Sequence, residues 1–132
     1  MALYENILSF LLVSFGAVLG ANTRLIIYES LGKKFLIRKD IRILFINCLA
    51  SFFLGIFYSI SNNPIYFNHT YKLSLIFSIG FCGSLSTFST LIYDFFKLSF
   101  KFKFTKSIKF IILSILSGLI SLWFGVLLGD QF

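Results

Sequence analysis

Carboxylates are nearly missing from this chain. Five Asp and Glu stand against twelve Lys and Arg, and none of the five falls in the middle of an apolar run. That absence argues against a cation path or a proton-coupled one, since acidic groups at membrane depth mark such routes. Charge of either sign is scarce. Only 13% of residues are charged and 58% are hydrophobic, too little polar surface for a soluble domain, so the solvent is a bilayer. Cysteine is limited to Cys48 and Cys82, both in apolar runs, with no CxxC spacing and no His nearby. The pair reads as small buried residues, with a disulfide or metal site as the poorer alternative. Proline occurs once, at Pro64, where Asn62-Asn63-Pro64 marks a turn.

What is present is long and oily. Crossing the hydrocarbon as a helix takes about 20 apolar residues. Four runs qualify, at 6–28, 41–60, 73–96 and 108–128. The expected architecture is a single all-α membrane domain over residues 1–132 with short connections and no soluble domain. The first run lacks a basic start, is too long for a signal peptide and carries Arg24 at its far end, so it counts as a true span. Nineteen Phe and six Tyr suit lipid-facing and interfacial positions.

The formal charge of +7 raises nucleic-acid binding as a function. It fails, because the basic residues lie between spans and not along one face of a soluble element. Arg24, Lys33, Lys34, Arg38, Lys39 and Arg42 flank the first connection. Lys97, Lys101, Lys103, Lys106 and Lys109 flank the third, and Lys72 alone falls to the other side. Under the positive-inside rule both termini face out, and connections one and three face the cytoplasm of a plasma (inner) membrane.

Small residues recur at four-residue spacing: Gly16, Gly20 and Arg24 in span one; Asn47, Ser51 and Gly55 in span two; Ser117, Ser121, Gly125 and Gly129 in span four. Steps of four keep residues on one helix face, where small side chains let helices approach closely in lipid. Packing alone accounts for most of them. Asn47 differs, because a buried amide in a membrane needs a partner. It is either inter-helix glue or a ligand contact. Arg24 either snorkels to the interface or raises the local anion concentration at a pore mouth. Span three carries Gly80, Gly83, Ser84 and Ser86 near its centre. Glycines and hydroxyls weaken a helix, so the cluster is either a break, as at many membrane ion sites, or an ordinary packing face.

Three patches carry a resemblance. GFCGSLSTFSTL, residues 80–91, resembles the third-helix signature of the fluoride channel family (Fluc, also called CrcB). GAVLGANTR, residues 16–24, is similar to that family's first-helix motif, and NCLASFFLG, residues 47–55, to its second. Their order, the four spans and the length agree. The resemblance implies a dual-pore, antiparallel dimer with each third helix broken at the midplane. It also implies a structural sodium ion, not transported, held by backbone carbonyls at the positions of Gly83 and Ser86. Oxygen-only ligation without carboxylates suits a hard, singly charged ion. The function implied is passive export of cytoplasmic fluoride: a channel, with no catalytic residues.

Fluoride is strongly hydrated, so its path must replace water with donors. The Asn47 amide and the Ser89, Thr90 and Ser114 hydroxyls can donate. Phe88 can face an anion with its electropositive ring edge. Arg24 joins this group as the cation at the mouth. The chain departs from the family pattern at Leu91, in place of a second pore Phe. Ser84 and Ala50 replace glycines, and Ile43 and Phe110 stand where pore-lining Thr and Tyr are common. Two other readings remain. One is a non-conducting partner that completes another subunit's pore. The other is a small four-helix drug exporter, which lacks support because Glu5 and Glu29 sit at the ends of span one. The lopsided charge favours an antiparallel partner that is a paralogue of opposite bias, since a homodimer would have to insert both ways.

Overall fold

The computed structural model describes residues 2–62, 72–86, 89, 92–93, 96 and 104–131. The described residues are helical nearly throughout. Helix α1 runs Ala2–Lys33 and α2 runs Lys39–Asn62. Helix α3 spans Lys72–Leu85 and α4 spans Phe104–Gly129. Three segments are long and apolar enough to cross a membrane: Leu3–Lys33, Lys39–Ser61 and Ile108–Gly129. This is an all-helical membrane protein.

Helix α3 is different. Its 14 residues, Lys72–Leu85, rise about 21 Å at 1.5 Å each, short of the roughly 30 Å hydrocarbon. Span three was expected to continue to residue 96, but beyond Ser86 only Ser89, Ile92, Tyr93 and Phe96 are described, all helical. The Asn63-Pro64 turn and the third connection's Lys97, Lys101 and Lys103 lie outside the described residues.

The middle of α3, Leu75–Cys82, is wound as a π-helix. That winding is rare, and where it occurs it often marks a functional segment. It follows the close contact with α1. A side chain built on Gly16 would run into the Ile76 carbonyl, and one on Gly20 into the Phe81 carbonyl and the Ser84 hydroxyl. From the other side, a Cβ on Gly80 would meet the Val13 carbonyl oxygen at 2.6 Å. The small-residue stripe of span one is thus the seam between α1 and α3. The stripes of spans two and four pair in the same way. Gly55 lies on the Leu122 carbonyl and Gly125 on the Phe52 carbonyl. Most of the contact between helices falls in these two pairs, α1 with α3 and α2 with α4.

A small core joins the pairs. Ile46 and Ala50 of α2 and Leu85 of α3 are buried, with Ile27, Tyr28 and Phe81 packed around them. The outer face of α4 is the reverse case: Ile112, Leu116, Ile120 and Trp123 are all more than half exposed. In a bilayer that face meets lipid or a second subunit, where an apolar surface is required.

Helices α1 and α2 are joined by a tight connection. The N–H of Lys34 reaches the Ser30 carbonyl at 2.9 Å, and that of Ile37 reaches Leu31 at 3.1 Å. Between them Leu36 takes φ 50°, the left-handed conformation that ends many helices and normally selects Gly. Arg42, one turn into α2, donates from Nη1 to the Tyr28 carbonyl at 3.2 Å and lies 4.3 Å over the Tyr28 ring. Gly32 makes room for it, since a side chain there would strike the guanidinium. At the opposite end, Ser59 of α2 donates to the Asp130 carboxylate just past α4.

Candidate functional site

The end of α3 is where regular backbone is lost. Gly83–Leu85 still forms a helical turn, and the Ser86 N–H bonds the Cys82 carbonyl at 3.2 Å. Ser86 itself turns to φ −68°, ψ 150°, an extended conformation. The departure therefore starts at Ser86, with Gly83 still helical, three residues later than the glycine suggested. The reason is local. Gly83 can hold the helix, while the Ser86 hydroxyl donates back to the Gly83 carbonyl at 3.3 Å, a side-chain bond of the kind that competes with the helical ladder. Two residues before the turn, Ser84 Oγ bonds the Phe81 carbonyl at 3.2 Å in the same manner.

A cavity of about 480 Å³ opens beside this turn. Its polar wall comes from three elements: Asn47 and Ser51 of α2, Ser114 of α4, and Ser86. Ile92, Ile111 and Leu122 are among the aliphatic residues that complete it, and among the described residues none that lines it is charged. Helical spacing explains the convergence. Asn47 and Ser51 are four apart on one face of α2, and the Gly55–Gly125 contact holds that face against α4. Gly118 of α4 stands opposite Ser51, whose hydroxyl lies 3.4 Å from the position of an added Cβ. Ser114 is 7% exposed, and its carbonyl accepts from Ser117 Oγ at 3.1 Å.

The structure thus brings together Asn47, Ser114 and Ser86 among the residues singled out by sequence. Ser89 is exposed and does not line the cavity. Arg24 is half-buried on α1, away from it. Phe88, Thr90 and Leu91 lie outside the described residues. Ile43 is 1% exposed and packed inside, so it lines nothing. Phe110 likewise does not reach the cavity. Ser51 was assigned to packing, yet it is a wall residue. Its position four residues after Asn47 was the signal that could have found it.

Chemically, the wall offers an amide and three hydroxyls with no fixed charge. Their N–H and O–H groups can replace the hydration of a small anion. Gly83 provides a second feature. It is exposed, with no atom within 4 Å of where its Cβ would be, so the last turn of α3 presents bare backbone outward. Among the described residues no cluster of His, Cys, Asp or Glu could hold a metal ion.

Comparison with known proteins identifies the family. The family described as CrcB-like protein, Camphor Resistance (CrcB), matches residues 11–126. A Prochlorococcus marinus (strain NATL2A) protein named Fluoride-specific ion channel FluC 2 is 46% identical over 121 residues, covering 92% of this chain and 97% of its own length. A Listeria innocua protein named Fluoride-specific ion channel FluC 1 is 33% identical over 123 residues, 93% of this chain and 98% of its own. A third, Fluoride-specific ion channel FluC of Bacteroides fragilis, is 39% identical over 90 residues, 66% of each chain.

Proposed function

The chain belongs to the CrcB-like family, and we propose that it is a subunit of a fluoride-specific ion channel that lets cytoplasmic fluoride leave passively. The observation that carries this reading is the convergence of Asn47, Ser51, Ser86 and Ser114 on one cavity beside the end of α3, with no charge among its described lining residues. Fluoride enters acidified cells as uncharged hydrogen fluoride and ionises inside, so an anion path down the membrane potential relieves the load without coupling to protons. The protein is a channel and not an enzyme.

Fluoride efflux from vesicles containing purified complexes of this subunit tests the reading. Flux that excludes chloride and falls when Asn47 is replaced by Ala is expected. Comparable chloride and fluoride flux would overturn it.

The working unit is an antiparallel dimer, and its second subunit is a paralogue. Eleven basic residues flank connections one and three and one falls to the other side, so this chain inserts in a single orientation with both termini outside. Its partner must carry the opposite bias. Relatives named FluC 1 and FluC 2 fit paired paralogues. Unequal subunits also leave room for one pore to be weaker than the other. The burial of Ile43 and the absence of Phe110 from the cavity's lining favour that inequality; a non-conducting subunit that completes its partner's pore is the alternative reading. A tag at Gln131 reachable from both faces, with full fluoride resistance from this chain alone, would reject the heterodimer.

A sodium ion at the dimer axis fits the residues present. Gly83 exposes backbone with open space around it, and Ser86 leaves the helix, so their carbonyls would hold the ion. It would supply a fixed positive charge joining the two subunits.

A further inference from the structure

The connection between α1 and α2 carries a feature that neither folding nor topology requires. Phe35 and Leu36 stand at its tip, 62% and 86% exposed, and Leu36 is held at φ 50°. A bulky residue is strained in that conformation, which Gly adopts freely. The strain keeps an apolar pair turned outward at the level where α1 leaves the membrane.

Basic groups surround the pair. Lys33 and Lys34 precede it and Arg38 and Lys39 follow it. Their availability differs. Lys33 bonds Glu29 at 2.7 Å and stays 79% exposed. Arg38 bonds Asp40 at 3.0 Å and stays 80% exposed. Lys39 lies 5.4 Å over the Tyr93 ring, and Arg42 is occupied by Tyr28. Lys34 is exposed and forms no ion pair among the described residues. Lys34 and Arg38, the latter still 80% exposed though bonded to Asp40, stand on either side of the apolar tip, where an outside anion can reach them. Basic residues alone would satisfy the orientation rule by snorkelling. An apolar pair between two such cations matches an amphiphile with a negative headgroup and a hydrocarbon tail.

We propose that Lys34 and Arg38, with Phe35 and Leu36, form a docking site for an anionic phospholipid. The phosphate pairs with the two cations, and the acyl region covers the aromatic ring and Leu36. The orientation proposed above decides only that the cytoplasmic leaflet supplies the lipid; binding itself does not depend on it, so tag accessibility at Gln131 tests that reading separately.

The experiment titrates the purified full-length complex, delipidated in detergent, with phosphatidylglycerol and with phosphatidylcholine, counting bound lipids by native mass spectrometry. The wild type is expected to retain phosphatidylglycerol preferentially. Each cation near the surface is worth about fivefold in affinity, so the double variant Lys34→Gln, Arg38→Gln is expected to bind about 25-fold more weakly. Leu36→Gly relieves the strained φ, so it is expected to keep or raise the lipid-free melting temperature while weakening retention of both lipids. Equal retention of both lipids by the wild type would overturn the proposal, as would unchanged binding in both variants. Displacement of the lipid by inorganic phosphate alone would reduce the feature to a free-anion site. Subunit dissociation in Leu36→Gly without any change in lipid binding would make the tip a protein contact.

Discussion

Replacing Gly80 by Ala tests whether the α1–α3 seam sets the geometry of the site. The added Cβ would lie 2.6 Å from the Val13 carbonyl oxygen, 3.0 Å from Gly16 Cα and 3.1 Å from Ala17 N. All three are backbone atoms of α1, so no rotamer change can give way. Reaching an ordinary 3.4 Å contact from 2.6 Å requires the helices to part by roughly 0.8 Å. A gap of that size forfeits about a quarter to a half of the dispersion well of each contact along the seam. Overpacking of this kind costs about 1–3 kcal/mol. Alanine recovers up to about 1 kcal/mol by its better helix propensity, and less here because the segment is π-wound. The net expected loss is about 1–2 kcal/mol, a fall of about 5 °C in melting temperature for a chain this size.

Gly83→Ala, three residues along the same helix, is the control. Its Cβ meets nothing within 4 Å, so the isolated subunit is expected to keep its stability. The assay is thermal unfolding in detergent, followed by fluoride flux in vesicles. Parting α1 from α3 displaces Ser86, so flux is expected to fall with Gly80→Ala. Equal melting temperatures for wild type and Gly80→Ala would refute the close-approach argument, and equal losses in both glycine variants would show that position along α3 is irrelevant.

Gly83→Val is expected to leave the subunit folded, since its Cβ meets nothing within 4 Å, and to weaken the dimer proposed above; dimerisation unchanged by size-exclusion chromatography would remove Gly83 from the proposed axis. Ser114→Ala, which removes one buried donor from the cavity, is expected to cut fluoride flux with little change in melting temperature; full flux would take Ser114 out of the path. Gly32→Ala is expected to cost less than about 1 kcal/mol, since the atom in its way is the end of the flexible Arg42 side chain; its marker is loss of the Arg42–Tyr28 stacking, and a melting-temperature drop as large as that of Gly80→Ala would count against it.

The spans were legible because each burden on the sequence is local. Hydrocarbon thickness demands about 20 apolar residues, and the expected spans 6–28, 41–60 and 108–128 fall inside α1, α2 and α4. The pairing of stripes was only half legible. Four-residue spacing shows that Gly16 and Gly20 share a face, but it cannot say that the face meets the Ile76 and Phe81 carbonyls and not α2. The π-winding of Leu75–Cys82 was not legible at all. It lies where α1 packs against Gly80, a contact between residues more than 60 positions apart.

At the site, the same division separates what the sequence could say from what only packing decides. Asn47 stood out because an amide at membrane depth carries its own cost. Ser51 carries none of that cost, since a hydroxyl can bond within its own helix; only the apposition of α2 and α4 across Gly55 and Gly125 turns it toward the cavity. Ile43 shows the converse. Four residues before Asn47 it shares that face of α2, yet it is 1% exposed and outside the cavity. An isoleucine there seals the α2 face beyond Asn47, where a hydroxyl would have extended the line of donors. Among the described residues, the donors along this face of α2 therefore stop at Asn47. If an anion is to pass further along α2, the next donors must come from another helix or from the second subunit, which is the arrangement that unequal partners provide. Ile43→Thr is the change that would lengthen the donor line within this chain, and raised flux in that variant would mark this subunit's own side as the weaker half of the path.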